Sequence, residues 1–136
     1  MTRVLFLVPA VVLLLGAGEP TTDLDQFQGN WRFLEYHSDR VEVTKERLKA
    51  MKVHIKGNTL VVSDGTKEEK LTFTLDPKQT PRAINLREGK QPELPGIYEL
   101  KGDTLRIVTA GTKRPEAFPP KLKGGYTLLV LQREKK

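Results

Sequence analysis

From Gly29 onward the chain is a succession of short runs rich in β-branched and aromatic residues, in which apolar and polar positions alternate, and Gly, Asp, Asn or Pro separates each run from the next. A period of two puts every second side chain on one face, so each run reads as a half-buried strand. Eight strands are expected, at Asn30–His37, Lys52–Lys56, Thr59–Ser63, Lys70–Leu75, Ala83–Leu86, Gly96–Lys101, Thr104–Ala110 and Tyr126–Arg133. Gly57-Asn58, Asp64-Gly65 and Gly102-Asp103 each carry two-residue hairpin chemistry, which makes successive strands neighbours in space. Prolines at 77, 81, 92, 95, 115, 119 and 120 fall between strands, where a missing N–H breaks no ladder. The expected fold is all-β. Closing the meander into an eight-stranded antiparallel up-and-down barrel is favoured over an open sandwich, because closure removes exposed edges.

Alternation also assigns the faces. Met51, Val53, Ile55, Leu71, Phe73, Leu75, Ile84, Leu86, Tyr98, Leu100, Leu105 and Ile107 point inward; Lys52, His54, Lys56, Thr72, Thr74, Asn85 and Arg106 are expected to face solvent. The last strand has Leu128, Leu129, Val130 and Leu131 in sequence, so both of its faces should be covered. Two helical turns are expected outside the strands. One is "TTDLDQF", with Asp23 or Asp25 as its cap and Leu24 and Phe27 on its apolar side, flanking one end of the sheet. The other lies in "RVEVTKERLKAM", a short helical turn after strand one, where Thr44 precedes Leu48 and Met51.

The first 18 residues have a different character. Arg3, an apolar run from Val4 to Leu15 and the small residues Gly16, Ala17 and Gly18 have the layout of a secretory signal peptide. That run is about 12 residues, against the roughly 20 a spanning helix needs. The expected organisation is therefore a signal peptide at 1–18 and one barrel domain at 19–136, exported to a periplasmic or extracellular site with no stable membrane anchor after cleavage. Cys is absent, so the domain must hold itself by burial and sheet hydrogen bonds, and thiolate metal sites and thiol redox chemistry are excluded. Loss of the signal removes Arg3 and lowers the formal charge from +6 to +5, which favours acidic partners only weakly.

Gly29-Asn30-Trp31 resembles the Gly-x-Trp that opens the first strand of lipocalins and their barrel relatives. That resemblance implies a tryptophan at the barrel's closed end beneath a basic side chain from the last strand, and Arg133 stands at the matching place. The blocks "FQGNW", "LTFTLDPKQTPRAINL", "LPGIYELKGDTLRIVTA", "RPEAF" and "LLVLQREKK" are together similar to a family of small, uncharacterised, lipocalin-like domains known mainly from planctomycete bacteria and commonly exported. The likeness implies fold and compartment and carries no catalytic residues. Asn85 departs from the aspartate expected in that block.

Motifs with chemical potential have plainer readings. His37, Ser38 and Asp39 are the letters of a hydrolase triad, but consecutive side chains point to different faces and cannot form a relay. Two histidines without HxH or HxxxH spacing make a poor metal site, and Asp64-Gly65 lacks the regularly spaced oxygens of a calcium loop. Glu68-Glu69 and Glu99 could supply carboxylates for acid–base work, but two adjacent exposed glutamates read more plainly as a solvated strand start. The cations Lys45, Arg47, Lys49, Lys52, Lys135 and Lys136 could meet phosphate, yet Phe73, Tyr98 and Trp31 are assigned inward and leave no stacking platform for nucleic acid. Gly124-Gly125 lacks the Lys-Ser/Thr of a phosphate loop and reads as a turn.

The expected function is non-enzymatic, without cofactor or metal: binding of a small apolar or amphipathic molecule inside the barrel. Met51, Val53, Phe73, Ile84, Tyr98, Leu105 and Ile107 are the candidate lining, and Gly29, Trp31 and Arg133 the structural closure. The alternative is a solid-packed barrel that meets an envelope protein or polysaccharide through "TKRPEAFPPKLKGG".

Overall fold

In the computed structural model, which describes residues 22–39, 41–111, 113–119 and 124–135, the alternation closes into a barrel. The expected signal peptide lies outside the described residues. The strands are β1 (Gly29–Ser38), β2 (Lys52–Lys56), β3 (Thr59–Ser63), β4 (Glu68–Asp76), β5 (Ala83–Arg87), β6 (Leu94–Lys101), β7 (Thr104–Thr109) and β8 (Thr127–Arg133). Each pairs antiparallel with the next, and β8 returns to pair with β1. Helix α1 (Asp23–Phe27) precedes β1, and α2 (Lys45–Ala50) lies between β1 and β2.

Two of the three expected hairpins hold their two-residue turns. Lys56 pairs with Thr59 and Lys101 with Thr104, and Gly57 and Gly102 both take φ of 62°, where glycine carries no Cβ penalty. The third differs. Ser63 pairs with Glu68, so four residues make the turn, and the Asp64 carboxylate accepts from the amides of Thr66 and Lys67 at 2.9 and 2.8 Å. The side chain supplies the turn's hydrogen bonds, a competition the dipeptide Asp-Gly does not reveal. Those donors hold the Asp64 carboxyl far below the usual carboxylate range.

At the lower end α1 acts as a plug. Its cap is Thr22, not Asp23 or Asp25: Thr22 Oγ1 accepts from the Asp25 amide at 3.1 Å and the Asp25 carboxylate accepts from the Thr22 amide at 3.4 Å. Phe27 is fully buried, stacked on Phe73 at 5.5 Å and edge-on to Tyr98 at 5.1 Å. The Tyr98 hydroxyl donates to Asp23 at 2.5 Å, and Arg82 meets the same carboxylate oxygen at 3.1 Å. Gly29, Trp31 and Arg133 meet at this end. Trp31 is 0% exposed, its indole N–H donates to the Phe27 carbonyl at 2.9 Å, and the Arg133 guanidinium lies 4.4 Å over its ring.

β1 contains a slip that alternation does not announce. Opposite β8, Val130 pairs with Glu35 and Leu131 with Phe33, so Leu34 is extra. The bulge changes the phase, so that Phe33 and then Tyr36 face the core while Leu34 and Glu35 stay exposed.

The outer wall is not all solvated. Ile97, Val108 and Leu128 form a second buried cluster on the outside of β6, β7 and β8, with Phe118, Tyr126 and Val130 packed against it. The β7–β8 connection, at its described residues 113–119 and 124–126, therefore lies as a strap on the wall, and the expectation that Asn85 and Arg106 face open solvent is corrected. Arg114 donates to Asn85 Oδ1 at 2.8 Å, and Arg106 lies 4.3 Å from the Phe118 ring centroid while pairing with Glu99 at 3.0 Å. Both faces of β8 are covered, as its apolar run requires.

Trp31→Ala should lower stability by about 3–5 kcal/mol, measured by urea denaturation, and an unchanged midpoint would contradict its place in the core. Burial and the Asp23 carboxylate raise the Tyr98 phenol well above its ordinary value near 10. Its contribution is thus complete below pH 10 and is lost as pH rises, because the unfolded phenol ionises first. The stability difference between wild type and Tyr98→Phe should shrink from pH 9 to pH 12; a constant difference would refute that account.

Candidate functional site

Height along the barrel divides the inward side chains into two groups. In the lower half Trp31, Val53, Ile55, Leu60, Phe73, Ile84, Tyr98, Leu105 and Leu131 are essentially inaccessible and pack together under α1. In the upper half the inward side chains border a cavity of about 370 Å³. This falls within the roughly 300–1,000 Å³ of ordinary small-molecule sites.

The structure therefore splits the candidate lining. Met51 and Ile107 face the cavity; Val53, Phe73, Ile84, Tyr98 and Leu105 belong to the packed lower half and do not line it. Gly96 contributes to that packing. A Cβ there would stand 2.6 Å from the Val108 carbonyl oxygen and 3.3 Å from Ile84 Cγ2, so only glycine lets β6 pass this close.

Sequence reasoning missed several wall residues. Phe33, Tyr36, Val62, Leu86 and Leu129 line the cavity with Met51 and Ile107. Leu86 was on the inward stripe already, but alternation gives facing and not height. Tyr36 was hidden by the bulge. Glu69, expected as a solvated strand start, also lines the wall, on the same face of β4 as Leu71 and Phe73. Thr109 and Thr127 add hydroxyls, and Thr109 is only 9% exposed.

Two loops border the mouth. The β1–β2 connection supplies Val41, Val43 and Arg47 to the wall, and α2 packs against β1. Of β1, only Gly29–Arg32 pair with β2, so on that side the upper half of β1 has this connection beside it instead of a strand. Arg47 Nη2 lies 3.5 Å from Asp64 Oδ2, which ties α2 to the β3–β4 turn. On the other side is the end of the strap, where the Gly125 amide donates to the Asp39 carboxylate. His37 lies 3.3 Å from Asp39 and 4.8 Å from the Tyr126 ring. The carboxylate of "HSD" thus serves as a clip between two loops. Beneath the strap a recess of about 200 Å³ shares Leu94, Thr109 and Thr127 with the main cavity.

Among the described residues no three His, Asp or Glu side chains are grouped to hold a metal ion, and no helix is long and apolar enough to cross a membrane. His54 instead bonds Asn30 Oδ1 at 2.7 Å on the outer wall.

Beside its apolar contacts with the wall, the strap is tied to the strands by side-chain hydrogen bonds of Arg114. Arg114 donates to the carbonyls of Gly96 and Ile84 at 2.8 and 3.2 Å and to Asn85 at 2.8 Å. Arg114→Ala would leave these acceptors short of a donor, so it should cost about 1–3 kcal/mol and quicken cleavage within the strap by a non-specific protease. Equal stability and equal cleavage would show that the strap holds by apolar contact alone.

Comparison of the chain with protein-family models, with curated proteins and with solved structures finds no match to any of them.

Proposed function

We propose that this protein is an exported, lipocalin-like barrel that holds a small apolar or amphipathic molecule in its open end and performs no covalent chemistry on it. The observation that carries the proposal is the contrast between the two ends: one is packed shut by α1 and Trp31, and the other has a cavity of about 370 Å³ walled mainly by apolar side chains. The lipocalin-type Gly-x-Trp, the likeness to small exported planctomycete domains and the signal-like first 18 residues support the same reading. The alternative, an interaction module working through the strap, draws less support, since Pro115 is buried and Phe118 packs on the barrel wall.

Binding is testable with N-phenyl-1-naphthylamine, a neutral apolar fluorophore that brightens when desolvated. Saturable binding is expected, and Leu129→Trp, which fills the cavity from β8, should weaken it by about tenfold or more, equivalent to roughly 1.4 kcal/mol, while the protein stays folded. Native mass spectrometry of protein from its own host should find a reproducible bound mass. No saturation, or equal binding by the filled variant, would remove the cavity from consideration.

A further inference from the structure

Glu69 stands exposed at the rim of the cavity, at the start of β4's inward stripe. On β4 the inward positions are Phe73, Leu71 and Glu69, and Glu69 stands opposite Val62 of β3, with both side chains on the cavity wall. Its carboxylate stays in contact with water, so a counter-charge on a bound molecule would meet it as a partly exposed ion pair.

Among the described residues the cavity wall carries two charged side chains, and they are not equivalent. Arg47 already faces Asp64 at 3.5 Å. Asp64 in turn is fixed by the amides of Thr66 and Lys67 and by the Thr66 hydroxyl at 2.9, 2.8 and 2.9 Å, so the guanidinium's charge is answered within the protein. Glu69 has no hydrogen bond or ion pair with any described residue. Among the described residues, an anionic head group at this mouth would meet a cation that is already paired and a carboxylate that is not. A protonated amine would supply the missing partner, and the aromatic faces of Phe33 and Tyr36 on the same wall favour a cation further.

We infer that the cavity selects amphipathic amines: the apolar part lies among Phe33, Met51, Ile107 and Leu129, and the ammonium group pairs with Glu69. This rests on the cavity-binding reading and adds the chemistry of the head group. Taking the roughly 30 Å³ that a water molecule occupies in the liquid as the space for each non-hydrogen atom, a cavity of about 370 Å³ holds about a dozen such atoms, a size a ten-carbon chain with one polar head matches.

The test is calorimetric titration of the full chain at neutral pH with decylamine, 1-decanol and decanoate, each below its micellar range. Decylamine should bind about fivefold tighter than decanol, the upper end for a partly exposed ion pair, and decanoate should bind weakest. Glu69→Gln should abolish the advantage of the amine and leave decanol unchanged. Decanoate as the tightest ligand, or an amine preference that survives Glu69→Gln, would overturn the amine assignment while leaving the binding cavity standing. Failure of all three chains to bind would overturn the cavity reading itself.

Discussion

The structure depends first on the guanidinium of Arg133. From the end of the last strand it donates to the Gln28 carbonyl at 2.9 Å and to the Gln26 carbonyl, lies 4.4 Å over Trp31 and stands 3.4 Å from Asp103. It therefore joins α1, β1, the β6–β7 turn and β8 through one planar group. The carbonyls at a helix's end need donors from outside the helix, and here the donor is the group that covers the indole. Closing the barrel and seating its plug are consequently one event. Gly29 permits the geometry through its φ of 118° more than through its size, since a Cβ there would meet Arg133 Nη1 only at an ordinary 3.7 Å.

With one end closed this way, the barrel becomes asymmetric along its axis. The lower half satisfies the packing demand of a core, with rings and branched chains filling the space under α1. The upper half is walled but not filled. Its borders are loops held by single polar contacts, Arg47 to Asp64 and Gly125 to Asp39, and such exposed contacts are individually weak. Rigidity and accessibility are thus assigned to opposite ends, which suits a site on a firm scaffold.

How much of this is legible in the sequence depends on which physical signal each feature leaves. Alternation of apolar and polar residues revealed all eight strands to within two residues, because it is a local pattern with a direct steric cause, whereas the closed end at Trp31 and Arg133 was legible only through the resemblance to lipocalins. Height along the barrel leaves no such trace: Phe73 and Ile107 look alike in sequence, yet one is deep in the core and the other borders the cavity. The outer burial of Ile97 and Val108 depends on a strap more than a dozen residues from Ile97, and the inward turn of Tyr36 depends on a bulge defined by its partner strand. Glu69 is exposed, as its residue type suggests, while its place in the stripe puts it on the border of the cavity, which residue type alone does not reveal.

The half-paired β1 has one more consequence. Because the connection through α2, and not a hydrogen-bonded strand, stands beside its upper half, the wall there can part without breaking a ladder. For the proposed ligand, affinity would reside in the side chains of the strands, and the speed of entry and escape in this seam. Substitutions in the connection could then change how long an occupant stays while hardly altering how well it fits.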